Sequence, residues 1–338
     1  GYPGSTSRYA MLAEVENTFG WNYPTFQTLL TDWIDTIETA APEGSDARVK
    51  YESRLAGLNN YEKNLRGQIE GARRVGLIER RREREEALAA WIAADPSRAA
   101  YGPAIADLSA LSQESATAAR TSFWYGNATR AQLLSVAQRL YRLAKENEKP
   151  NAQRDSGYQE RDMAFFRQSM QALDRRYDPA VDKAEWKLFL KGYIAQPEAE
   201  RVAVYDDALG LTGIDDAKQL DTILDGFYEG TSLDETETRL ALMDASVAEL
   251  EASNDPFMKL AIALYDYERG LEDAGEERAG RALALRPAYM EAITQWQSEQ
   301  GQLPYPDANS TLRITFGNVM GGSPFDGMAY LPFTTLEG

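Results

Sequence analysis

The 338-residue chain is 43% hydrophobic, enough for one large core or two smaller ones. Its net charge of −17 argues against nucleic-acid partners and anionic membrane surfaces, because both select basic patches. It has no cysteine and no histidine, which excludes disulfides, thiolate nucleophiles, histidine-based triads, histidine-ligated zinc and Glu-x-x-His di-iron pairs within these residues.

The first stretch, GYPGSTSRY at residues 1–9, reads as a tight turn leading to a helix start. From about residue 8 to 303 the chain reads as helix. Ser45-Asp46 caps a long periodic run from Asp46 to about Ala94, interrupted at Gly67, Gly71 and Gly76, which mark a kink or a close neighbour. Within it LNNYEKN, Leu58 to Asn64, gathers Asn59, Asn60, Lys63 and Asn64 in two turns. These residues form either a solvated patch or one wall of a peptide cleft, where an amide can accept a hydrogen bond from a cation. Further along, ERRREREE, Glu79 to Glu86, carries four arginines and four glutamates, so it reads as a solvated face with i, i+4 pairs. Asp95-Pro96, Asp178-Pro179 and Asp255-Pro256 start further helices. Apolar stripes fall on Leu133, Ala137, Leu140, Tyr141 and Ala144, on Leu220, Ile223, Leu224 and Phe227, and on Phe257, Leu260, Ala261 and Leu264.

AGRALALRPAYMEA, Ala279 to Ala292, matches one partial tetratricopeptide helix, but a solenoid needs about three repeats. A helix ending before Pro287 accounts for it equally well. LPYPDANS, Leu303 to Ser310, is a turn-rich loop. TLRITFGNV then alternates, with Leu312, Ile314 and Phe316 on one side, as a strand does; GGSPFDG is a turn and MAYLPFTTLEG is extended. The expected fold is therefore mainly α, a multi-helix domain with short β stubs at both termini. An isolated strand pair is barely stable in water, so the tails read as the cut ends of a β structure in a longer protein.

Few residues invite a catalytic reading. Ser323 lies in GGSP, without the last glycine of a Gly-x-Ser-x-Gly elbow, and reads as a turn serine. Among 53 acids some pair is always close, so paired carboxylates carry no signal, and no metal site or cofactor is expected. The sequons at Asn127 and Asn309 are short matches expected by coincidence.

The two ends and the polar cluster together resemble one family, the bacterial dipeptidyl-peptidases of the dipeptidyl-peptidase 7 and 11 type. The resemblance rests on GYPGSTSRY, LNNYEKNLRGQIEG, DPFMKLA at Asp255 to Ala261, and YPDANSTLRITFGNVMGGSPFDGMAYLPFTTLEG, in order over the whole chain. It implies a chymotrypsin-like serine exopeptidase whose double β-barrel carries a helical insertion over the active site. On that basis residues 1–9 are a strand and turn stub of the barrel, 10–303 the helical cap, and 304–338 the return to the barrel. The histidine, aspartate and nucleophilic serine of the family lie outside these residues, so the chain alone is expected to be inactive. The intact enzyme would release dipeptides from oligopeptides through an acyl-enzyme. The resemblance places the substrate's free amino terminus on Asn60, with Asn59 as the fallback. It further implies a periplasmic or cell-surface location in Gram-negative bacteria and a full-length homodimer; the acidic charge separately leaves no nucleic-acid or membrane partner expected. The rival expectation is a non-catalytic helical scaffold or peptide-binding protein, which gives no reason for the β-like tails.

Overall fold

A computed structural model describes residues 4–214 and 217–336. The first three residues of the GYPG stretch, residues 215–216, and the last two of TTLEG lie outside the described residues. The described residues group into two units, 11–292 and a second made of 4–10 with 293–336.

The chain is mainly α. Helix α1 (Leu12–Asn17) runs through a π-turn into α2 (Tyr23–Ala40). Then follow α3 (Asp46–Arg74), α4 (Leu77–Ala93), α5 (Tyr101–Ala128), α6 (Gln132–Asn147) and α7 (Met163–Ala172). The rest are α8 (Pro179–Ile194), α9 (Ala203–Leu209), α10 (Ala217–Glu229), α11 (Thr236–Leu242), α12 (Val247–Glu251) and α13 (Pro256–Glu299).

The expected starts hold at the level of atoms. Ser45 accepts a hydrogen bond from the Arg48 amide at 3.1 Å, Asp95 from Ser97 at 2.9 Å, Asp178 from Ala180 at 3.0 Å, and Asp255 from Met258 at 3.1 Å. Each satisfies an amide that the first helical turn leaves without a partner. The long run from Asp46 is two helices rather than one. Gly76 adopts φ +60°, a left-handed conformation that glycine enters freely, and there the chain breaks between α3 and α4. Gly67 and Gly71 stay helical with no close neighbour.

The core of the first unit is built on α8, which is buried on two faces. Val181 and Phe189 pack with Leu30, Trp33 and Ile37 of α2 and Tyr51 and Leu55 of α3. Trp186, Leu190 and Tyr193 enter a larger cluster with α6, α9, α10 and the first turns of α13. Trp186 is fully enclosed. Its ring meets Phe227 at 5.2 Å and Phe257 at 5.3 Å, and its indole N–H donates to the Ala128 carbonyl at 2.7 Å. Burying such a ring with its one donor satisfied contributes several kcal/mol, about 3–5 by the cost of truncating large aromatics. All three stripes read from the sequence face this cluster.

Two expectations change. Helix α13 continues through Pro287 instead of stopping before it. Proline removes the donor for the carbonyl of residue 283, and Leu283 is exposed, so water can serve that carbonyl. The alternating stretch TLRITFGNV forms no ladder; the strands are β1 (Gly322–Phe325) and β2 (Met328–Tyr330), an antiparallel hairpin turning at Asp326-Gly327. A strand needs a neighbour for its amides, and among the described residues none lies beside 311–319.

Within the second unit the two terminal stretches meet. Ser5 and Asn309 form an antiparallel bridge, and the Thr6 amide donates to the Ala308 carbonyl at 3.0 Å. Asp307 accepts from the Thr6 hydroxyl and the Arg8 amide, both at 2.8 Å. The Tyr9 hydroxyl donates to the Tyr305 carbonyl at 2.8 Å.

Candidate functional site

Helix α3 is amphipathic in a way that exposes a polar shelf. Tyr51, Leu55 and Leu65 are buried, while Ser53, Gly57, Asn60 and Asn64, spaced i, i+4, i+7 and i+11, lie on an exposed face. The polar cluster read from the sequence divides by its hydrogen bonds. Asn59 is half-buried, and its amide donates to the Leu55 carbonyl of its own helix at 3.0 Å. Asn64 accepts from the Gln68 amide at 2.6 Å. Asn60 is exposed, and no described residue hydrogen-bonds its side chain. Asn60 is thus the asparagine of this pair whose side chain is both exposed and unbonded, so its carbonyl oxygen is open to an incoming cation; the Asn59 oxygen is also unbonded, but its residue is half-buried and its orientation is held by Leu55. Tyr61, beside it, lays its ring against Phe26 with centroids 5.6 Å apart.

Toward its N-terminal end the same helix borders a cavity of about 460 Å³ between α3, α6, α7 and the loop that follows α7. Lys50, Arg54, Arg130, Arg139 and Arg176 line it, and no carboxylate does. Arg54 lies over the rings of Trp33 and Tyr51, at 5.1 and 5.8 Å, and pairs with Glu185 at 3.1 Å. Arg130 lies over Trp33 as well, at 5.7 Å. Arg139 stacks on Phe166 at 4.5 Å and donates to the Ser169 hydroxyl at 2.9 Å, and Lys50 donates to the Tyr177 carbonyl at 2.8 Å. The sequence offers no signal for this cavity, because its cations are scattered from residue 50 to residue 176 and meet only in the fold.

Beneath the cavity sits a buried acidic layer on α8. Asp182 accepts from the Gln132 amide at 2.9 Å and from the Tyr228 hydroxyl at 2.7 Å, and burial raises its pKa above the usual carboxylate range. Glu185 accepts from the Trp33 indole. Burial outweighs both that bond and the Arg54 charge, so its pKa is pushed up to about 7. Glu268, which accepts from Tyr125 and Gln138, is pushed by burial to about 7 too. Both carboxylates join helices and face no nucleophile, so their shifts are structural.

The remaining candidates behave as turn and core residues. The Ser323 hydroxyl donates to the Phe325 and Met328 carbonyls, closing the hairpin. Asn127 of the first sequon is buried, and its amide donates to the Phe123 carbonyl at 2.8 Å.

Comparison with known proteins bears out the family resemblance read from the sequence. The peptidase S46 family model matches residues 1–338, and the chain belongs to that family. It is similar to the Asp/Glu-specific dipeptidyl-peptidase of Shewanella putrefaciens, at 38% identity over all of this chain and 45% of that protein. It is similar to the dipeptidyl-peptidase 7 of Capnocytophaga gingivalis at 23% identity, over 94% of this chain and 43% of that one. In fold it resembles the crystal structure of Porphyromonas endodontalis DPP11 in complex with the dipeptide Arg-Glu. The TM-score there is 0.66 at 18% identity, covering all of this chain and 47% of the other. The chain thus spans under half the length of the relatives it matches.

Proposed function

We propose that this member of the peptidase S46 family is the helical cap of a serine dipeptidyl-peptidase that removes dipeptides from the free amino terminus of oligopeptides. The observation that carries the reading is Asn60, an amide with no competing partner on the exposed face of α3, in the stretch that resembles the family's amine-binding segment. A free α-ammonium is a charged donor, and an acceptor held at a fixed place along a helix measures the distance from the substrate's end to the bond that is cut. Asn59, already bonded to its own helix, is the weaker candidate.

Residues 10–303 are the cap in this proposal, and 1–9 and 304–338 belong to the barrel. Two features support that division. Ser5 and Asn309 already pair as strands do, and Leu312, Ile314 and Phe316 stand 59%, 80% and 99% exposed in an alternating stretch without a ladder. A neighbouring strand would cover them. The same reading includes a periplasmic or cell-surface location and a full-length homodimer, both resting on family resemblance.

The test uses the full-length enzyme. Asn60→Ala is expected to lower kcat/KM by roughly 10- to 150-fold, because a hydrogen bond to a charged group contributes about 1.5–3 kcal/mol. It should also narrow the preference for free over acetylated amino termini, while helix content stays the same. A variant with unchanged kcat/KM and unchanged discrimination would remove Asn60 from the amine site. The 338-residue chain by itself, without histidine, is expected to release no dipeptide.

A further inference from the structure

The cavity beside α3 sets itself apart by its charge. The chain carries −17 overall, yet this cavity collects four guanidinium groups and an ammonium, with no Asp or Glu in its lining. Among the described residues, Arg130, Arg139 and Arg176 have no carboxylate within ion-pair distance, and Arg54 alone of the four is paired, through Glu185 behind it. Arg54 and Arg130 both lie over the ring of Trp33, so two like charges are held close together. Such a grouping is unfavourable by itself and becomes favourable when an anion lies between the charges. Three features give the cavity a fixed geometry. Arg139 is held between Phe166 and Ser169, Arg54 is fixed by aromatic faces and its ion pair, and Lys50 is tied to a backbone carbonyl.

Size narrows the ligand. A volume of about 460 Å³ falls in the range of sites that enclose organic ligands and far exceeds what one inorganic oxyanion fills. Val136, Met170 and Leu173 add apolar wall between the charges. The guanidinium groups without a carboxylate partner are spread around the cavity, so the ligand that uses them carries more than one carboxylate. Position matters as well. Ser53 lines the cavity, and Asn60 lies two turns further along the same exposed face, about 10 Å away at 1.5 Å per residue. That is the span of about three extended residues.

We propose that this cavity is a second peptide subsite, which binds an acidic segment of an oligopeptide through two or more carboxylates. Arg139 and Arg176 take them from the α6 and α7 side, and Arg130 and Arg54 from the Trp33 side. The choice of a peptide rests on the proposed function; the anionic character rests on the cavity alone. Sited beyond the reach of the first two residues from Asn60, the subsite favours substrates with acidic residues following the bond that is cut.

The experiment is isothermal titration of the 338-residue chain with N-acetyl-tetraglutamate amide, N-acetyl-tetraglutamine amide and inorganic phosphate. Acetylation removes the amine, so Asn60 takes no part, and the outcome is independent of the amine-anchoring reading. The glutamate peptide is expected to bind, and to bind more weakly as salt rises from 50 to 300 mM. The glutamine peptide and phosphate are expected to bind at least ten-fold more weakly. Arg139→Gln, and separately Arg176→Gln at the exposed rim, should each weaken the glutamate peptide roughly ten-fold or more, with far-ultraviolet circular dichroism unchanged. Equal binding of the glutamine peptide, an Arg176→Gln variant that binds as tightly as the parent, or phosphate binding that exceeds the peptide's would overturn the proposal. The last outcome would assign the site to a free oxyanion.

Discussion

Glu185→Gln should change how the stability of this chain depends on pH, and in a direction opposite to that of most carboxylates. Glu185 is buried on α8 between the Trp33 indole and Arg54, and burial pushes it from an ordinary value of 4.5 up to about 7. The folded protein therefore binds a proton at Glu185 that the unfolded chain has released, in the window between about pH 4.5 and pH 7. Stability from this group is full below pH 4.5 and is lost as pH rises through 7. A gap of about 2.5 on the pH scale corresponds to about 3 kcal/mol at 1.36 kcal/mol per pH unit. Glu268, pushed to about 7 by its own burial, acts in the same direction. Carboxylates held low by partners, such as Asp174 beside Arg239 and Glu272 beside Arg142, complete their contribution below about pH 5.5 and leave the higher window clear. Urea unfolding of the parent chain at intervals from pH 5.5 to 8 should show stability falling by a few kcal/mol. Glu185→Gln keeps an acceptor for the indole and removes the titrating proton, so the part of that fall due to Glu185 should vanish while the parts due to Glu268 and the buried Asp182 remain, with the variant gaining most at pH 8. A parent chain with flat stability over this window, or a variant as steep as the parent, would refute the assignment of burial as the dominant effect on Glu185.

The helices were legible because their signals are local. Each Asp-Pro or Ser-Asp start caps a helix through an atom two or three residues away, and each apolar stripe faces a core because 3.6-residue periodicity fixes one side. The exceptions have physical reasons. Gly76 looked no different from Gly67 and Gly71 in sequence, yet it alone of the three takes a positive φ, since conformation there is chosen by how α3 and α4 pack. Pro287 was given its intrinsic tendency to stop a helix, and an exposed preceding turn allowed α13 to continue. Alternation in TLRITFGNV reports a strand's preference for two faces but not the presence of a neighbour to bond with. At the candidate site, sequence brought three asparagines and a lysine together on α3 but could not say which asparagine side chain was unbonded; that depends on Asn59 turning back to Leu55 and Asn64 meeting Gln68. The basic cavity was invisible, since no local pattern joins residue 54 to residue 139 or 176.

Two further substitutions test the core. Gly192→Ala on α8 would place a methyl group inside the Trp124 ring, with no space between them. The overpacking should cost about 1–3 kcal/mol, read as a lower urea midpoint at constant slope. Arg239 on α11 supplies the more discriminating case. It is fully buried and donates to the Met170 carbonyl at 2.9 Å, the Leu233 carbonyl at 2.8 Å, the Thr236 hydroxyl at 2.8 Å and the Asp174 carboxylate at 2.5 Å. Asp174 is 53% exposed and can be rehydrated, so the surface end of this fork is worth little when it is lost. The two carbonyls lie at the buried end, and each costs about 1–3 kcal/mol when left without a donor. Arg239→Met keeps the stem's packing and orphans both, for about 2–6 kcal/mol; Arg239→Ala adds a cavity and should be worse. Arg239→Lys keeps the charge but offers a point where a planar fork is needed, so it should recover only part of the loss. The expected order of stability in urea at pH 7 is arginine, lysine, methionine, alanine. If methionine matches or exceeds lysine, the ion pair and its hydrogen bonds hold nothing together there, and the apolar stem alone secures α11 against α7.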